Sequence, residues 1–193
     1  MRNPALLAVV AAAGLAAAAC SESSPVASGE KAVVLGRFTC FSSVVTLRTT
    51  CAPSDPNLSS GARTTAVILS QDSAYAVASS GDVYDEATET YSFDMKVRNM
   101  RSSPIGTDDG TTLHSDGIRV FFSSGPTVWL GTGIVTVSNA DGTDAFTASN
   151  QPYFQYNQIL TQYQYSNAKN WQFHVPTTVQ GWYYNVLVWA HVP

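Results

Sequence analysis

The chain has 193 residues and a formal net charge of −4, and only 12% of its residues are charged. It lacks the basic footprint of a nucleic-acid-binding protein, so we expect no nucleic-acid partner. Aromatic residues make up 11% of the chain, and threonine, serine and valine are frequent, which is typical of strands with one face in water. The composition therefore excludes coiled-coil and disordered chains and favours a β domain.

The N-terminal segment has the features of an export signal. A basic Arg2 precedes the apolar run from Ala5 to Ala19, which is too short to span a bilayer comfortably and leads directly into Cys20. This pattern resembles the signal of bacterial lipoproteins, in which the cysteine is acylated and becomes the new N-terminus. The resemblance implies a signal peptide over residues 1–19, acylation of Cys20 by chains such as palmitate, and a membrane partner through that lipid anchor.

Other outcomes for this segment remain open. Lipoprotein signals usually carry leucine three residues before the cysteine, and this chain has Ala17 there. Ala17 and Ala19 also satisfy the rule for an ordinary secretory cleavage site, which would release a soluble protein with a free N-terminal thiol. A buried N-terminal helix would need an amphipathic period that the segment lacks. Lipidation is the main prediction because cysteine is rare in this chain.

Residues 20–30 follow as the lipidated cysteine and a polar stretch with Pro25 and Gly29, which we expect to be a flexible tether. Ser21 is not the aspartate that retains some lipoproteins at the inner membrane, so the resemblance favours the outer membrane. Residues 31–193 are assigned to one β domain, because no linker-like composition divides them.

Two cysteines remain once Cys20 is committed to lipid. Cys40 and Cys51 would then form a disulfide, which an oxidising compartment permits. A straight strand of this length would span about 36 Å, so the chain must double back between the two cysteines. We expect a bend near residues 42–43, although residues 43–49 have the composition of a strand.

Short β-type segments separated by turn residues fill the rest of the chain. Residues 90–100 alternate apolar and polar side chains, which predicts a strand with one face in water. A hairpin is expected around residues 139–142, and residues 182–192 read as a central strand because both of their faces are apolar. Further strands are expected at 32–41, 64–70, 74–80, 117–125 and 170–176. With no helical period, the pattern predicts an antiparallel sandwich or barrel.

The segments YSFDMKVRNM, PIGT, DGIRVFF, NQPYFQYNQIL and NWQFHVP follow one another from Tyr91 to the C-terminus. This stretch, residues 91–193, resembles the immunoglobulin-like β-sandwich domains of bacterial envelope and secreted proteins. The resemblance implies an all-β, antiparallel immunoglobulin-like β-sandwich, preceded by the signal peptide and the tether.

No pattern downstream of Cys20 amounts to a catalytic signature. The run His114–Asp116 contains triad residue types, but triad residues must converge in space, and a polar loop is expected there. His174 and His191 are expected in or beside strands, and three histidines without ligand spacing do not predict a zinc site. The segments 108–110 and 139–144 carry calcium-type residues, yet such residues are also common in tight turns. We therefore expect no catalytic residues, no metal and no cofactor.

About half of the aromatic residues lie between positions 150 and 193. They could form a platform for stacking sugar rings, or they could be core residues and strand-end tyrosines. The candidate ligand-binding residues are Tyr163, Tyr165 and Trp182. The leading hypothesis is a non-enzymatic envelope lipoprotein whose β-sandwich is a binding or structural module for an envelope protein or polysaccharide. The alternative is a carbohydrate-binding module that uses the C-terminal aromatic residues. A third hypothesis is an enzyme with a shallow polar site around His114 and Asp116.

Overall fold

The computed structural model describes residues 32–54 and 75–193, and within those ranges it contains ten strands and no helix. The predicted signal peptide, Cys20, the tether and the strand expected at 64–70 lie outside the described residues. No helix in the described part of the chain is long and apolar enough to cross a membrane. The strands are β1 (Ala32–Ser43), β2 (Arg48–Pro53), β3 (Tyr75–Asp85), β4 (Thr90–Asn99), β5 (Ile118–Gly131), β6 (Thr136–Val137), β7 (Gly142–Asp144), β8 (Gln151–Tyr156), β9 (Lys169–His174) and β10 (Val179–His191).

The strands form two antiparallel sheets. One has six strands in the order β2-β1-β10-β5-β8-β7, and the other has four in the order β3-β4-β9-β6. Buried residues of both sheets belong to a single hydrophobic core. The predicted all-β antiparallel sandwich is therefore confirmed.

Period-two alternation directs side chains into this core. Tyr91, Phe93 and Met95 on β4 are fully buried, while the residues between them are half-buried. Trp171 on β9 stacks on Phe154 of β8 with ring centroids 4.3 Å apart. Because β8 and β9 belong to different sheets, this pair fills the gap between the sheets.

Strand β10 is central, as predicted, because it pairs with β1 on one side and β5 on the other. Trp182 and Tyr184 on its inner face are fully buried. Leu187 on its outer face is also fully buried, so both faces of this strand are covered. That double burial explains why the segment is apolar at consecutive positions.

The predicted disulfide between Cys40 and Cys51 is confirmed. The two cysteines lie directly opposite each other on β1 and β2, with their Cα atoms 4.0 Å apart. The strand suggested for residues 43–49 was wrong, because the chain turns at residues 44–47. The hydroxyl of Ser43 accepts backbone N–H groups of the turn and so competes with strand pairing.

The hairpin expected around residues 139–142 was also wrong. Strand β6 before this segment pairs with β9, whereas β7 after it pairs with β8 in the other sheet. The Asn139 side chain binds the backbone of Asn170 and Gln172 on β9. The Asp141 carboxylate accepts the backbone N–H of Gln155 on β8. These side chains hold the segment as a crossover between the sheets.

Candidate functional site

The three residues proposed from the sequence do not form one site. Trp182 is fully buried, and its ring meets that of Tyr91 edge to face with centroids 4.9 Å apart. Its ring is therefore not available to a ligand at the surface. Tyr163 and Tyr165 are 56% and 46% exposed, as expected for a polar segment.

Both of these tyrosines contact Arg98. The guanidinium carbon lies 5.7 Å from the ring centroid of Tyr163 and 4.9 Å from that of Tyr165. The Arg98 Nε also donates a hydrogen bond to the backbone oxygen of Tyr163. These contacts give the two rings a structural role at the end of β4.

A different aromatic site lies on the outer face of the six-stranded sheet. Trp129 on β5 is 53% exposed and Phe41 on β1 is 48% exposed. Phe41 contacts the Tyr183 ring of β10 across the strands, with centroids 5.9 Å apart. Trp129 and Phe41 line a shallow cleft, which we call the Trp129 cleft, together with Ser43, Thr46, Arg48 and Thr50.

The position of the Trp129 ring is set by a glycine. Gly181 on β10 lies beneath the indole, and a Cβ on that residue would be 2.8 Å from two of the ring carbons. The absence of a side chain at Gly181 lets the indole lie against the backbone, at a distance that any other residue would prevent. Thus the ring is held in place while about half of it faces solvent.

A charged cluster lies where the loop between β4 and β5 meets the end of β10. We call Asp108, His114, Asp116 and His191 the histidine–aspartate cluster. The backbone N–H of Gly106 donates to the His191 oxygen at 2.8 Å, which fixes the loop against β10.

Within the cluster the two imidazole rings are stacked, with centroids 3.4 Å apart and planes 14° from parallel. Asp108 lies at one edge of the stack, with its Oδ1 2.7 Å from Nδ1 of His191 and its Oδ2 3.9 Å from Nε2 of His114. Asp116 lies at the opposite edge, with its Oδ2 3.7 Å from Nδ1 of His114 and 3.9 Å from Nε2 of His191. His191 is buried, whereas His114 and both aspartates are partly exposed.

Arg119 joins this cluster to the aromatic part of the outer face. Its guanidinium donates to Oδ1 of Asp116 at 2.7 Å and to the Asp144 carboxylate at 3.2 Å. The guanidinium carbon lies 4.6 Å from the ring centroid of Tyr153 and 5.8 Å from that of Trp189. Arg119 therefore holds Asp116 in place beside the stacked histidines.

The two calcium-type segments are held by protein donors. Asp109 accepts the backbone N–H groups of Thr112 and Thr111, and these bonds hold the pKa of its carboxyl well below its usual range. Asp141 accepts a bond from Lys169 at 2.8 Å. Gly110 has a φ of 86°, which is the turn geometry expected for an Asp-Gly pair.

Comparisons with protein-family models, curated proteins and solved structures gave no match to this chain. The fold and site define an antiparallel β-sandwich with an exposed aromatic cleft on one sheet and a histidine–aspartate cluster at the end of that sheet.

The sequence did not single out Trp129 as a binding residue, because the aromatic residues are densest in the C-terminal segment. The signal that could have found it is the alternation along β5, where Val128 points to the core and its neighbours Thr127 and Trp129 are exposed. It also missed the pairing of His114 with His191, which are far apart in sequence and meet only through the sheet topology.

Proposed function

We propose that this chain is an exported, lipid-anchored binding module whose β-sandwich binds polysaccharide without catalysing a reaction. The observation that carries the proposal is Trp129. A tryptophan that is about half exposed leaves a large apolar ring in water, and burial of that ring by a ligand would recover this free energy. Core packing gives no reason for its position, since the ring lies on the outer face of the sheet.

The surroundings of Trp129 suit a sugar ring. The C–H face of a sugar can stack on the indole, while its hydroxyl groups bind nearby polar side chains. Ser43, Thr46 and Thr50 supply hydroxyl groups, and Arg48 supplies several hydrogen-bond donors in a planar fork. The cleft is shallow and open, which favours a chain that lies across the surface over a small molecule that must be enclosed.

The proposed anchor and family relation rest on the sequence pattern. The apolar segment that ends at Cys20 supports export and acylation, and the polar residues after it would hold the sandwich off the outer membrane. The strands between residues 91 and 193 support kinship with immunoglobulin-like domains of bacterial envelope proteins, within the antiparallel sandwich described above.

Affinity electrophoresis and pull-down with cellulose, chitin, peptidoglycan and soluble glucans test the binding claim. We expect at least one polymer to retain the protein, and Trp129→Ala to reduce retention at least about tenfold, because it removes the stacking ring. Tyr165→Ala is the matched control, since this exposed aromatic lies outside the cleft. Equal loss in Trp129→Ala and Tyr165→Ala, or no binding to any polymer, would contradict the proposal.

Two further measurements test the non-enzymatic claim and the lipid anchor. Release of sugar fragments from any of these polymers by the purified protein would contradict the non-enzymatic claim. Intact-mass analysis of the membrane fraction, beside a Cys20→Ala variant, tests the anchor. We expect an added diacylglycerol and acyl mass that disappears in the variant, and a soluble unmodified wild-type protein would contradict the anchor.

A further inference from the structure

The histidine–aspartate cluster has an electrostatic arrangement that the polysaccharide proposal does not use. A carboxylate can only accept hydrogen bonds, so the 2.7 Å contact between Asp108 Oδ1 and His191 Nδ1 places a proton on that nitrogen. When His191 is neutral, its Nε2 therefore carries a lone pair. This Nε2 atom is buried and has no hydrogen-bond partner, although most buried polar atoms have one.

His114 directs its Nδ1 to the same side of the stack, but the lone pair of this nitrogen already accepts a hydrogen bond. Its Nδ1 accepts the backbone N–H of Asp116 at 3.2 Å, so the proton of the neutral ring lies on Nε2, toward Asp108. Both rings thus direct their N–H groups toward Asp108 and their lone pairs toward Asp116. The Asp116 Oδ2 atom adds a negative charge to the same space.

We propose that this space binds a divalent transition-metal ion of the Zn²⁺ type. The ligands are Nδ1 of His114, Oδ2 of Asp116 and Nε2 of His191. A ligand set of two imidazole nitrogens and one carboxylate oxygen suits such ions better than it suits calcium or magnesium. Three protein ligands leave at least one coordination position for water or a ligand.

The two distances from Asp116 to the histidine nitrogens are close to those that a metal requires. Zinc lies about 2.0–2.2 Å from nitrogen and oxygen ligands, so tetrahedral ligand atoms are about 3.3–3.5 Å from each other. Asp116 Oδ2 lies 3.7 Å from the His114 nitrogen and 3.9 Å from the His191 nitrogen. If both distances shorten by a few tenths of an ångström, they match the spacing of zinc ligands. The stacked rings must also splay so that both lone pairs point at one ion. On binding, Nδ1 of His114 exchanges its hydrogen bond from the Asp116 N–H for the metal.

The surrounding residues supply the usual outer support of a metal site. Ligating histidines commonly donate their second N–H to a carboxylate, which fixes the ring orientation, and Asp108 does this for His191. Arg119 binds the other oxygen of Asp116 and so directs Oδ2 toward the histidines. Asp108 is a rival to Asp116 as the carboxylate ligand, because one ligand-type atom from each of Asp108, His114 and His191 lies within 4.8 Å of the others. The test must therefore separate the effects of the two aspartates.

Calorimetric titration of the purified full chain with ZnCl₂, after removal of metal by EDTA, tests the proposal. All proteins carry Cys20→Ser, because Cys40 and Cys51 are joined and Cys20 is the remaining thiol that could bind zinc. We expect saturable binding of one ion per chain and no such binding of Ca²⁺. Absence of saturable zinc binding, or equal saturable binding of calcium, would overturn the proposal.

The variants assign the ligands. His114→Ala should abolish the one-ion isotherm, and its thermal unfolding should remain cooperative because this side chain is 24% exposed. Asp116→Asn should also abolish binding, whereas Asp108→Asn should weaken it about 10–100-fold, as for other outer carboxylates. His174→Ala is the matched control, since that exposed histidine lies on β9 outside the cluster. Binding that survives His114→Ala, falls equally in His174→Ala, or depends on Asp108 more than on Asp116 would overturn the assignment.

Discussion

Removal of the disulfide should lower the stability of the sandwich by an amount that its loop length sets. The bridge joins residues 11 positions apart. A cross-link that closes a loop of this length removes about 3 kcal/mol of chain entropy from the unfolded state. The β1–β2 pairing can form without the bridge, so the folded state should keep its structure. For a domain of this size the loss corresponds to a fall in melting temperature of about 6–12 °C.

The assay is thermal and urea unfolding of a Cys40→Ala/Cys51→Ala variant, compared with the parent chain with and without a thiol reductant. The reduced parent and the double variant should lose similar stability. The m-value should rise only slightly, because opening a loop between residues 11 positions apart adds little surface to the unfolded state. A matched control is Cys20→Ser, which should leave stability unchanged. A loss below about 1 kcal/mol, or three reactive thiols in the denatured unreduced chain, would refute the reasoning.

Three further results are expected. Gly181→Ala should displace the Trp129 ring, because the new Cβ would lie 2.8 Å from it. The variant should retain polysaccharide more weakly, while its melting temperature changes little. Retention at the parent level would contradict the proposed role of Gly181. Gln151→Ala should cost about 1–3 kcal/mol and speed proteolysis near residues 145–150, because the buried amide binds three backbone N–H groups of that loop and the oxygen of Phe122. Burial raises the pKa of Tyr156 above its ordinary value of 10.0, so its contribution to stability is complete below that pH and is lost as the pH rises. Tyr156→Phe should therefore reduce the alkaline fall in the free energy of unfolding by about 1.4 kcal/mol per pH unit. An unchanged slope would contradict the raised pKa of this phenol in the folded protein.

The strands were predictable where local pattern and burial agree. On β4 every second residue faces the core, and on β10 both faces are covered, so the sequence pattern matches the environment directly. The turn at residues 44–47 was not predictable from composition, because it consists mainly of strand-forming residues. There the disulfide and the Ser43 hydroxyl outweigh the local preference. Propensity is a weak guide where longer-range contacts decide the structure.

The sites were less predictable than the fold. The exposure of Tyr163 and Tyr165 followed from their polar neighbours, but the burial of Trp182 depends on which face of β10 meets the core. His114 and His191 are separated by most of the C-terminal half of the chain. They meet because the loop after β4 is hydrogen-bonded to the end of β10, and a residue list contains no signal for that contact.

The central claim, polysaccharide binding at the Trp129 cleft, is tested most directly by NMR of the indole N–H groups. The chain has four tryptophans, of which Trp171 and Trp182 are fully buried and Trp129 is 53% exposed. Titration with soluble fragments of a retained polymer should shift the Trp129 signal, assigned by its loss in Trp129→Ala, and leave the two buried signals unchanged. A polymer that binds while the Trp129 signal stays in place would contradict the claim.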